Sequence, residues 1–150
     1  MKTTEHEHKT LLASLDAVNV ILRQISRLDQ AESQEEMEGV FPDLLRSLGE
    51  YTLSDRAYLF DWATEEQLAF RMTHEWCRPG VRPTFGEMQN VEVRRMPVWI
   101  EKMRRGEPIV SMDWDEDGKA VPEEFALFDG QDIHALIVLP IFCNHNVNGY

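Results

Sequence analysis

The sequence predicts a mixed α+β domain in which helices cover both faces of an antiparallel sheet. Three observations lead to this prediction. Two segments with helical apolar spacing come first, two aromatic segments with strand-like alternation follow, and short helices then separate further short strands. At 150 residues with 43% hydrophobic residues, the chain has the length and apolar content of one domain with a buried core.

Residues 11–30 predict a helix with one narrow apolar stripe, because apolar residues recur there at alternating spacings of four and three. The stripe consists of Leu11, Leu15, Val18, Leu22 and Ile25. Two interpretations are open: the helix pairs with the same helix of a second subunit, or it packs on its own sheet. The polar residues 1–10 before it are expected to form a disordered tail, and residues 31–150 the domain proper.

The second helix and the first two strands are predicted from local signals. Ser33 followed by Glu36 has the form of a capping box, so a helix should begin there, and Pro42 should kink that helix or mark its first turn. Residues 54–62 are aromatic and apolar on both alternating faces, which is typical of a strand inside a sheet. Residues 68–77 alternate and form its hairpin partner.

The second half of the chain predicts shorter elements. Pro97 at a first helical position and Gly106 just past the last one delimit a short helix. The other predicted elements are a strand at 108–112, an acidic loop, a helix at 122–128, a strand at 133–142, a turn at 144–148 and a strand from 149. Because the chain ends inside this last strand, we expect that the natural product continues or that a partner completes the edge.

The net charge of -12 excludes several classes of partner. This charge repels nucleic acid and anionic membranes, and the two short arginine pairs are more simply solvated helix ends. The first ten residues do not form a signal peptide, and the longest apolar run, 135–143, is too short to cross a bilayer. Two cysteines do not make a disulfide framework, so we expect a soluble cytoplasmic domain.

Several segments, in their order, resemble a GAF domain, the small sensory module of bacterial signalling proteins. The resemblance extends over residues 33–150 and rests on Ser-Asp-Arg-Ala-Tyr-Leu-Phe at 54–60, His-Glu-Trp-Cys at 74–77 with the Pro-Gly-Val that follows, the helix 97–105, Gly-Glu-Pro-Ile-Val at 106–110, Leu-Ile-Val-Leu-Pro-Ile at 136–141, and Asn-Gly-Tyr at 148–150.

The resemblance implies a sheet with long N-terminal helices on one face and a ligand cavity on the other, roofed by residues 81–103 and 113–130. It also implies a non-enzymatic homodimer that controls an output domain, either a histidine kinase or a diguanylate cyclase or phosphodiesterase. The residues that could line the cavity are His74, Trp76, Trp99, Met103, Trp114, Phe125 and Phe128. Large aromatic residues on short helices are also ordinary core residues, and the sequence does not identify a ligand.

Two other functions stay open beside the sensor. Cys77 and Cys143 could form the thiol pair of a redox enzyme similar to free methionine sulfoxide reductases, although buried strand cysteines are more often inert. Alternatively, the aromatic residues fill the cavity, and the domain only dimerises. The signatures of cyclic-nucleotide and bilin binding within the GAF family are not found in the sequence.

One acidic motif has the spacing of a calcium-binding loop. Residues 113–118 alternate carboxylates and end in glycine, and Glu124 follows after five residues. A strand is predicted where the entering helix of such a site should lie, so we interpret the segment as an acidic surface loop and predict no metal site.

Overall fold

The computed structural model describes residues 2–63, 66, 68–143 and 146–149. Its helices are α1 (Lys2–Gln30), α2 (Gln34–Thr52), α3 (Pro97–Arg104), α4 (Trp114–Asp117) and α5 (Pro122–Phe125). Its strands are β1 (Arg56–Trp62), β2 (Ala69–Cys77), β3 (Val91–Glu92), β4 (Ile109–Ser111), β5 (Leu136–Val138), β6 (Ile141–Cys143) and β7 (Asn146–Gly149). Turns of 3-10 helix lie at Phe85–Glu87, Val93–Arg95 and Ala126–Phe128.

The strands confirm the predicted α+β class. Over the described ranges, five strands form a sheet in the order β3-β2-β1-β7-β6, and β4 pairs with β5 in a separate two-stranded ribbon. The pairings of β2 with β3, β1 with β7, β6 with β7 and β4 with β5 are antiparallel.

The chain divides into two units, Met1–Tyr58 with His74–Pro83, and Leu59–Thr73 with Thr84–Tyr150.

In the first unit, α1 packs against α2. The helix begins at Lys2 rather than at Leu11, so it includes residues that the sequence assigned to a disordered tail; these residues contain no glycine or proline that would stop a helix. The half-buried residues of α1 recur at spacings of three and four and form the packed stripe: Ser14, Ala17, Ile21, Gln24 and Leu28. It differs from the apolar stripe predicted from the sequence, which runs from Leu11 to Ile25 and is exposed.

The start of α2 confirms the predicted cap. The Ser33 side chain accepts a hydrogen bond from the backbone N–H of Glu36 at 3.2 Å, and the Glu36 carboxylate accepts one from the N–H of Glu32 at 2.9 Å. Pro42 lies inside α2 and not in its first turn. Leu53 ends the helix in the left-handed conformation, with its N–H bonded to carbonyls of the last turn.

Gly49 in α2 lies directly under the indole ring of Trp76, so a methyl group there would overlap the ring. A Gly49→Ala variant should therefore lose about 1–3 kcal/mol of unfolding free energy, although alanine is the better helix former. Gly39 of the same helix has open space around its Cα, and Gly39→Ala should instead gain roughly 0.5–1 kcal/mol. Thermal unfolding of both variants checks the contact, and equal shifts would contradict it.

In the second unit, a core cluster joins β2 to the segments around α3, β4 and α5. Its buried members are Phe70, Met96, Trp99, Ile100, Met103, Ile109 and Phe125. Trp62 stacks on Phe70 with ring centroids 4.1 Å apart. The alternation of β4 explains its place, because Ile109 and Ser111 are buried whereas Val110 is exposed.

Three predicted elements at the end of the chain are corrected. The strand predicted at 133–142 is two strands, because Pro140 lacks an N–H for the ladder and separates β5 from β6. The turn predicted at 144–148 is shorter, since Asn146 already belongs to β7; residues 144 and 145 lie outside the described residues. The acidic loop contains one helical turn, α4, capped by Asp113.

Candidate functional site

Five of the seven candidate cavity residues meet in the second unit. Trp99 stacks on Phe128 with centroids 5.4 Å apart and is T-shaped to Phe125 with centroids 5.6 Å apart. Trp114 lies 4.3 Å from Phe125 and 5.9 Å from Phe128. Met103 belongs to the same cluster and is only 1% exposed. In this structure the rings contact one another, as the alternative of a cavity filled by its own aromatic residues requires.

His74 and Trp76 lie in the first unit and contact α2. The imidazole Nε2 of His74 is 3.0 Å from the Glu38 carboxylate, and its ring lies 4.8 Å from the ring of Phe41. Trp76 covers Gly49. Both residues were assigned to the cavity together with the others, but β2 contributes to both units, and His74 and Trp76 lie in its first-unit half.

The buried carboxylate of Glu124 joins α5 to α3. The sequence does not predict this contact. Glu124 is 3% exposed, and its two oxygens accept hydrogen bonds from the backbone N–H groups of Val98 at 2.6 Å and Trp99 at 3.0 Å. Pro97 has no N–H, and the preceding Met96 makes no side-chain cap. The start of α3 is therefore capped by a residue 25 positions further along the chain.

The acidic segment around α4 uses its carboxylates for local hydrogen bonds. The Asp113 side chain accepts from the N–H of Glu116, and the Asp117 carboxylate accepts from the Ser111 hydroxyl at 2.8 Å. The bond from Ser111, followed by the N–H groups of Asp113 and Met112, holds the pKa of Asp117 below its usual value. Within the described part of the chain, no group of three or more His, Cys, Asp or Glu side chains is arranged to hold a metal.

Calcium should leave the stability of the domain unchanged. Glu124 would have to be the bidentate ligand of a calcium loop, but its oxygens already bind the start of α3. We expect the midpoint of thermal unfolding to stay the same when millimolar calcium replaces EDTA. A rise would contradict this, because a ligand bound only to the folded state raises stability.

The cysteine that the structure describes does not have the surroundings of a reactive thiol. Burial, followed by the Glu75 carboxylate, raises the pKa of Cys77, and Arg56 opposes this shift. A raised pKa reduces the thiolate population that nucleophilic chemistry needs. The side chain of Cys143, the second cysteine of the redox hypothesis, lies outside the described residues.

Two pockets are lined by residues other than the aromatic candidates. One, of about 400 Å³, lies between α1 and α2 and is lined by Arg27, Gln30, Ala31, Glu36, Gly39 and Val40. The other, of about 410 Å³, lies in the second unit and is lined by Arg94, Arg95, Glu123 and Ala126. Charged surface residues have no periodic pattern, so neither pocket could be predicted from the sequence. Over the described residues, no helix is both long and apolar enough to cross a membrane.

The fold is that of a GAF domain. The solved structures that resemble the chain include a protein with bound biliverdin IXa in its far-red absorbing dark state. The TM-score is 0.65 at 14% identity, and the match covers 87% of this chain and 78% of that one. They also include the GAF domain of the cyanobacteriochrome TePixJ, with a TM-score of 0.59 and 16% identity over 75% of this chain and 68% of that one. A third is the GAF domain of an Acinetobacter phosphoenolpyruvate-protein phosphotransferase, with a TM-score of 0.61 and 12% identity over 88% of this chain and 72% of that one. No protein-family model matches the chain.

Among curated proteins, the chain is similar to the methanogenesis regulatory histidine kinase FilI of Methanothrix harundinacea (strain 6Ac). The two are 27% identical over 123 residues, which is 77% of this chain and 13% of that kinase. The chain thus spans about an eighth of the kinase's length. The resemblance to GAF domains inferred from the sequence is confirmed at the level of the fold.

Proposed function

We propose that the chain is a non-enzymatic sensory module that dimerises through α1 and controls an output domain of the histidine kinase type. The observation that carries this proposal is the apolar stripe of α1. Its members are exposed: Leu11 57%, Leu15 51%, Val18 40%, Leu22 55% and Ile25 49%. Exposed apolar stripes of this kind mark interaction surfaces.

The geometry of α1 favours a second copy over the chain's own sheet as the partner of this stripe. The half-buried residues of α1 form another stripe, and α1 packs on α2. Ile21 and Leu28 lie in that packed stripe, whereas Leu22 and Ile25 lie in the exposed one. A helix that packs one stripe within its subunit can still present a second, apolar stripe to a symmetric partner.

The similarity to a histidine kinase supports the proposed output. A module that covers 13% of such a kinase leaves room for other domains there. In this proposal, a small-molecule signal changes the packing of the helices, which requires that the signal binds one packing better than the other. The raised pKa of Cys77 gives no support to thiol catalysis as the alternative.

Native mass spectrometry of the purified domain, before and after denaturation, tests the proposal. The expected result is a dimer that releases a small molecule when it unfolds. A dimer without any bound molecule, either copurified or added, would reduce the module to dimerisation alone. A monomer at micromolar concentration would contradict the proposed role of α1.

A further inference from the structure

We propose that the pocket lined by Arg94, Arg95, Glu123 and Ala126 binds a small zwitterion that has a carboxylate and an ammonium group, as a free amino acid has. This inference rests on the proposed sensory function and names the chemistry of its signal. The volume of about 410 Å³ is sufficient to admit a molecule of that size.

The charges of the pocket select this class of ligand. Arg94 donates two hydrogen bonds to Glu92, at 2.9 and 3.1 Å, so its charge is largely matched within the chain. The side chains of Arg95 and Glu123 make no ion pair or hydrogen bond with another described residue. A simple anion would be repelled by Glu123, and a simple cation by Arg95, whereas a zwitterion satisfies both.

Buried neighbours anchor the backbone around the pocket. Arg95 precedes Met96, which is 5% exposed, and Glu123 precedes Glu124 and Phe125, which are 3% and 7% exposed. The core therefore positions the backbone of both charged residues, and only their exposed side chains have to be ordered when a ligand arrives. Ala126 adds a methyl group against which an apolar side chain of the ligand can lie.

The position of the pocket also connects it to α3. Glu123 and the buried Glu124 are consecutive residues of α5, and the Glu124 carboxylate holds the N–H groups of Val98 and Trp99. Arg95 lies just before α3. A ligand that joins Arg95 to Glu123 therefore joins the same two segments as this carboxylate and favours the arrangement in which they are close.

Isothermal titration of the purified domain with L-alanine tests the site. We expect saturable binding with a Kd of about 1 mM or below. Propionate, which lacks the ammonium group, and ethylamine, which lacks the carboxylate, should each bind at least about tenfold more weakly. The variants Arg95→Ala and Glu123→Gln should each weaken L-alanine binding by about tenfold or more, with unchanged thermal unfolding.

Two variants serve as matched controls. Arg104→Ala removes an exposed arginine at the other end of α3, and Asp115→Asn removes an exposed carboxylate of α4; both should keep the affinity. Absence of saturable binding, or equal affinity in all four variants, would overturn the site. If the native dimer still releases a different small molecule, only this pocket is wrong. If it releases none and binds none, the sensory proposal fails as well.

Discussion

Replacing Glu124 with alanine should lower the free energy of unfolding by about 3–5 kcal/mol, because each hydrogen bond to a charged group contributes about 1.5–3 kcal/mol. The carboxylate accepts from two N–H groups of the first turn of α3. Trp99 is 3% exposed, so water cannot replace the lost acceptor at its N–H. Loss of the cap should also loosen the aromatic cluster, since Trp99 is one of its members.

Neighbouring residues provide sharp controls for this experiment. Glu123→Ala removes the adjacent, exposed carboxylate of the same helix and should change stability by less than about 0.5 kcal/mol. Glu124→Gln keeps one acceptor oxygen and should lie between the two alanine variants. Denaturant unfolding measures all three. If Glu124→Ala and Glu123→Ala unfold at the same denaturant concentration, the carboxylate does not stabilise α3.

Local signals in the sequence predicted much of the fold. Ser33 marks the start of α2 and Pro97 that of α3, because the capping preference of serine and the first-turn preference of proline act within one turn of a helix start. Strands β1 and β2 followed from aromatic content and alternation. The break at Pro140 was missed because apolar residues on both sides gave the appearance of one strand.

Long-range contacts could not be predicted in the same way. The acceptor role of Glu124 depends on backbone N–H groups that lie 25 and 26 positions away, and backbone groups carry no sequence signal. The candidate cavity residues come from the resemblance to GAF domains, and five of the seven, four aromatic residues and Met103, meet in the second unit. His74 and Trp76 were not separable from that group, because alternation along β2 says nothing about which helix covers each half of the strand.

Within the proposed dimer, Leu22→Gln should raise the dissociation constant by about 100-fold or more. Burial of one leucine contributes about 1.5–3 kcal/mol, and a symmetric dimer contains each substituted side chain twice. Glutamine and leucine have similar helix propensities, so the variant should keep α1 intact. Leu22 lies in the middle of the stripe and is 55% exposed in the single chain.

Leu12 offers a matched control, because it is a leucine of the same helix with 61% exposure and lies off the stripe. Leu12→Gln should change the dissociation constant by less than about threefold. Sedimentation equilibrium of the wild-type domain and both variants compares the three constants directly. We expect a wild-type dimer that Leu22→Gln separates into monomers and Leu12→Gln leaves intact. A wild-type monomer, or equal dissociation constants for both variants, would contradict it.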